Sequence, residues 1–254
     1  MPRAALVEGG TSVALAPSES PVSKILAYLF ARETLLVLIG LAIVTGALRW
    51  LGGHAWGPTG MATRGIAGGI EAAYYFHIIV HFAGGGEHLE MPDLTNLHED
   101  IIDPLRRYVL TLAPMIAAIF WYGEKAFHDW MLGFPVFALA PQHIFDYTGP
   151  GTLFAVGLAL WPLMTAIAAI GKSIIAAYNP ILWVQTLRLF NTRYLVGAVV
   201  FYAVLAAEAY ILPAMALAID IPVVGVVSVQ LVAMMLMALR GCVLGAVCEP
   251  YFRD

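Results

Sequence analysis

Long apolar stretches separated by clusters of charge constrain this chain more than any other feature. A helix needs about 20 mostly apolar residues to cross the hydrocarbon core of a bilayer. About six stretches of that kind can be counted along the sequence. With 61% hydrophobic and 12% charged residues, most of the charges fall between these blocks. The expected fold is therefore all-α, a polytopic transmembrane helix bundle of about six spans with interfacial amphipathic helices. Six spans and their connections use nearly all of the 254 residues. This predicts a single transmembrane domain over 22–254 behind a flexible cytoplasmic tail over 1–21.

The tail (Glu8, Gly9, Gly10, Pro17, Ser18, Glu19, Ser20) is small and polar. It lacks the apolar run that follows the basic start of a cleavable signal, so the first span is expected to act as an uncleaved anchor. Val22 to Glu33 carries Lys24, Arg32 and Glu33 among apolar residues and reads as an amphipathic lead-in or an extension of the first span. The spans are expected near Thr34–Leu51, Gly60–Ala83, Tyr108–Tyr122, Thr152–Tyr178, Leu195–Ile219 and Val223–Val247. Pro114 and Pro162 fall inside the third and fourth. Asn179–Tyr194 reads as a second interfacial helix, and Asp220-Ile221-Pro222 as the turn between the last two spans. The loop Gly123–Gly151 holds an apolar patch, Phe134–Ala140, suited to a re-entrant or interfacial segment.

Orientation follows from the basic residues. On a six-span count the side holding the N-terminus collects Arg3, Lys24, Arg32, Arg106, Arg107, Lys172, Arg188, Arg193, Arg240 and Arg253. The other side collects Arg49, Arg64 and Lys125, which completes all 13. Lysine and arginine favour the cytoplasmic face, so both termini are expected there, in a bacterial inner membrane.

Ionisable residues within spans cost about 2.5–3.5 kcal/mol each on insertion scales and need a reason to be there. Glu71, Glu208 and Arg240 are the clearest cases, and Arg49 suits an interfacial anchor. The three deep charges form either a structural cluster that sets helix register or part of an ion or proton pathway. Tyr74, His77 and His81 share one helix face, a spacing open to a metal or haem, but no matching histidine pair stands on another span. The acids of the loop Gly84–Tyr108, where His88 and His98 also lie, do not have EF-hand spacing and read as a solvated cytoplasmic face, while His128, Asp129, His143 and Asp146 read as scattered loop polarity, with a metal site as the alternative. Cys242 and Cys248, six apart, read as packed thiols. No nucleophile elbow, Walker loop or dinucleotide fingerprint occurs. No catalytic residue, cofactor, metal or nucleic-acid partner is expected. The partners expected are the lipid bilayer and other membrane proteins or further copies of this chain.

Three stretches together resemble a known group. They are Gly84–Leu94 continuing to Asp103-Pro104-Leu105, Asn179-Pro180 running to Tyr194, and Met234–Gly241. The group comprises bacterial multi-pass membrane proteins of unknown function, loosely related to the Yip-type proteins of the secretory pathway. The resemblance covers roughly 60–252. The chain departs from it in having cysteines after Gly241 and no N-terminal zinc ribbon. It implies an integral membrane protein whose helices and cytoplasmic loops organise other components. The function expected is thus a scaffold, accessory subunit or membrane-organising component without catalysis. The alternative is a small ion- or proton-coupled transporter or channel using Glu71 and Glu208, built from two inverted three-span halves.

Overall fold

The computed structural model describes residues 20–55, 57–90, 96–122, 148–219 and 222–252. Residues 1–19, the apolar patch Phe134–Ala140, His128, Asp129, His143, Asp146 and the Asp220-Ile221 part of the last turn lie outside them.

Among the described residues the elements are helical throughout. The lead-in is a separate helix, α1 (Pro21–Phe30), and not an extension of the first span. Ser20 caps it by accepting from the Ser23 N–H at 3.1 Å, and Pro21 fills a first-turn position where its missing N–H costs nothing. An extended Ala31 (ψ 136°) ends it. Then follow α2 (Arg32–His54), α3 (Pro58–Ala83), a π-helical turn (Leu97–Ile102), α4 (Asp103–Thr111) and α5 (Ala113–Tyr122). The chain continues through α6 (Thr148–Gly171), α7 (Ile174–Ala177), α8 (Pro180–Ala218), α9 (Pro222–Cys248) and a closing 3-10 turn (Glu249–Phe252). Among the described residues five helices, α2, α3, α6, α8 and α9, are long and apolar enough to cross a membrane individually.

The third expected span is divided. Leu112 interrupts it, and Pro114 near the start of α5 has no N–H for the Leu110 carbonyl four residues back. The Tyr178 hydroxyl donates to that carbonyl instead. The two pieces still run as one path antiparallel to α6. Gly157 sits against Pro114 and Met115, Gly149 against Trp121, and the Tyr108 and Trp161 rings meet edge-on at 6.4 Å. Pro162 repeats the pattern inside α6. It frees the Leu158 carbonyl, which accepts from the Tyr202 hydroxyl of α8. In an apolar medium a freed carbonyl must find such a donor.

The second expected interfacial helix and the fifth span are joined in α8, but Asn191 breaks the run at φ 46°, ψ −131°. Asparagine tolerates positive φ better than most side chains, so the break falls on a permissive residue. The N-cap of the π-helical turn is Asn96, which accepts from the His98 N–H at 3.1 Å.

Packing relates the long helices. α3 and α9 run parallel: Glu71 meets Gln230, Ile78 meets Gly241, and Phe82 meets Gly245. α8 runs antiparallel to α9, with Gly197 on Val247 and Glu208 on Arg240. Gly69 and Gly60 allow close approach, since a methyl there would collide with Ile101 and with the Ala55 carbonyl. Gly65 faces open space. One end of the bundle gathers α1 and the C-terminal ends of α3 and α9. There Tyr28 packs edge-on against Phe82 at 5.3 Å, Thr34 accepts from the Leu89 N–H at 2.8 Å, and Lys24 lies 3.8 Å from Glu249.

Candidate functional site

Two charge pairs join helices of the bundle. In the first, Arg49 of α2 grips Glu71 of α3 through two parallel contacts, Nε to Oε1 at 3.0 Å and Nη2 to Oε2 at 2.6 Å. This fork geometry is the strong form of the arginine–carboxylate pair. Gln230 of α9 donates to the same Oε1 at 2.9 Å and lies 2.9 Å from the Thr45 hydroxyl. That hydroxyl donates in turn to the Leu41 carbonyl at 2.7 Å. Three long helices thus share one polar junction. Arg49 keeps 42% of its side chain exposed, whereas Glu71 keeps 16%.

In the second pair, Arg240 of α9 approaches Glu208 of α8 at 2.9 Å, with side-chain exposures of 8% and 13%. The guanidinium lies over the rings of Tyr75 and Phe201, 5.9 Å from each centroid. Aromatic faces attract a cation, most strongly where water is excluded. The two pairs are close enough to influence one another electrostatically. Of the expected trio, the structure therefore brings Arg240 to Glu208, while Glu71 is held by Arg49. Arg49, expected as an interfacial anchor, is the partner that Glu71 takes.

The His77 and His81 rings stack at 5.4 Å with 27° between planes. Tyr28 flanks His81 at 6.1 Å, and Gly86 closes over the His81 ring. Tyr74 is fully buried, and its hydroxyl has no hydrogen-bond partner among the described residues. Among those residues no group of three or more His, Cys, Asp or Glu is placed to hold a metal ion. Cys242 and Cys248 are buried free thiols.

Beside the histidines lies a cavity of about 260 Å³. Ala73, Phe76, His77 and Val80 of α3 form one wall. The π-helical turn contributes Glu99 and Asp100, α4 contributes Pro104 and Arg107, and Ala169 of α6 is joined by Lys172 just beyond the helix end. Arg107 lies over the Phe76 ring at 5.3 Å from its centroid.

Sequence reasoning missed Arg49 as the partner of Glu71, and missed this cavity. Counted from the α2–α3 turn, Arg49 lies five residues before His54 and Glu71 thirteen after Pro58. The eight-residue difference is about 12 Å of helix rise. Depth counting therefore separates two residues whose long side chains meet. The only sequence signal was the unpaired cost of Glu71 itself. The chain matches no family model, no curated protein and no solved structure.

Proposed function

We propose that this chain is a non-enzymatic, multi-pass protein of a bacterial inner membrane that acts as a scaffold or accessory subunit. It crosses six times, with α4 and α5 together making the third pass and both termini in the cytoplasm. The observation that carries this reading is the pairing of the deep charges across helices. Arg49–Glu71 joins α2 to α3, Gln230 adds α9, and Arg240–Glu208 joins α9 to α8. Each charge is used to fix a neighbour, which suits a rigid frame better than a path for a moving ion. Val199, Tyr210 and Leu217 fall on one face of α8 at spacings of eleven and seven, and all three are strongly exposed. This stripe is the surface we assign to a membrane protein partner or a second copy of the chain.

Photo-crosslinking groups placed at Val199 and Tyr210 in cells test the reading. It requires discrete adducts to the same membrane protein or to a second copy, absent from a control site on α2 such as Leu36. Smears of lipid adducts at all three sites count against it.

A second reading, a proton- or ion-coupled transporter, draws on the partial exposure of Arg49 at its pair with Glu71. Proteoliposomes carrying an internal pH dye separate the two. The scaffold reading requires proton flux no greater than in protein-free vesicles. Flux that vanishes with Glu71→Gln or Glu208→Gln moves the transporter to first place.

A further inference from the structure

We infer that the cavity between α3, the π-helical turn, α4 and the end of α6 binds the headgroup of an ethanolamine phospholipid. The charges lining it sum to zero, with Arg107 and Lys172 against Glu99 and Asp100. A site of that balance favours a zwitterion over an ion of either sign, because each charge on the ligand meets one of opposite sign. Neither cation forms an ion pair among the described residues. Arg107 is instead held over the Phe76 ring. Asp100 spends one oxygen on the Asn96 N–H at 2.7 Å and keeps the other, and Glu99 is exposed. His77 lines the same space, and its Nε2 has no hydrogen-bond partner among the described residues.

These groups match the ligand part by part. A phosphodiester accepts from a guanidinium fork and an ammonium. A primary ammonium has three N–H donors for the carboxylates, whereas a trimethylammonium has none. A headgroup without an ammonium would leave Glu99 and Asp100 beside a net anion. The volume, about 260 Å³, falls below the range of about 300–1,000 Å³ usual for drug-sized ligands. It suits a headgroup whose acyl chains leave past Ala73 and Val80, apolar lining residues that keep part of their surface exposed. The inference rests on the membrane reading and is independent of the scaffold role.

The full chain, stripped of lipid in detergent, is incubated with ethanolamine, choline or glycerol phospholipids of identical acyl chains and examined by native mass spectrometry. We expect the ethanolamine lipid to be retained about tenfold more than the choline lipid, a difference of about 1.4 kcal/mol. Arg107→Gln with Lys172→Gln should abolish that preference, and Glu99→Gln should narrow the gap between ethanolamine and glycerol lipids. Glycerophosphoethanolamine, which lacks acyl chains, should fail to displace the lipid at equal concentration. Displacement by it overturns the lipid assignment in favour of a soluble phosphoester. Equal retention of the three lipids, or unchanged selectivity in the Arg107/Lys172 variant, overturns the site. If the double variant does not fold, the wild-type lipid series decides by itself.

Discussion

Arg240 is caught between an acid and two rings in a place where an unpaired guanidinium has no water to fall back on. Its stem is too deep in α9 for the head to reach the interface easily, so Glu208 pairs with it and the Tyr75 and Phe201 rings face it. Removing one partner of a buried pair costs about 3–5 kcal/mol, because the other charge is left uncompensated. We therefore expect Arg240→Ala to lower unfolding stability by that amount in a denaturant titration in mixed micelles. Arg240→Met combined with Glu208→Gln should recover much of the loss. The same arginine change combined with Glu71→Gln should not, since Glu71 answers to Arg49. Equal rescue by both acids would show that the pairing is interchangeable.

Proline inside a spanning helix removes one backbone donor and leaves one carbonyl dry. Both prolines noted in the sequence meet the same solution, a tyrosine hydroxyl from another element: Tyr202 for the carbonyl freed by Pro162, and Tyr178 for that freed by Pro114. The prolines thereby become anchor points for ties to neighbouring elements. Leaving a buried acceptor unsatisfied costs about 1–3 kcal/mol, so Tyr202→Phe should destabilise by that amount. In a Pro162→Ala background the helix regains its own donor, and Tyr202→Phe should then cost clearly less. Additive losses in this double-mutant cycle would sever the proposed link. Asn191 gives a further check on element boundaries. At φ 46° a β-branched residue is strained, by about 1–3 kcal/mol. Asn191→Val should lower the thermal midpoint, while Asn191→Gly should leave it level or raise it.

The assembled bundle places Lys24 against Glu249 and Thr34 under Leu89, so the start of α1, the loop after α3 and the end of α9 share one end. Ten of the 13 basic residues fall on the side that this end defines under a six-pass count. We expect reporters fused before Met1 and after Asp254 to be silent when they require export, and one fused beyond His54 in the α2–α3 turn to be active. Activity at one terminus alone would mean an odd number of crossings, and α4 with α5 would then fail to traverse the membrane.

Hydropathy, helical periodicity and proline placement are local properties, and they were legible directly. The apolar blocks became α2, α3, α6, α8 and α9, and Pro114 marked the divided third stretch. The basic asymmetry is equally local, because insertion reads charge before any helix packs. Partner choice is not local. That Glu71 closes on Arg49, and Glu208 on Arg240, depends on how helices are rotated and slid against one another. A slide of one turn, about 5.4 Å, would part either pair. The cavity is still less visible in sequence, since Arg107, Lys172, Glu99 and His77 come from four separate segments. Only packing, which sums many weak contacts over the whole bundle, brings them to one place.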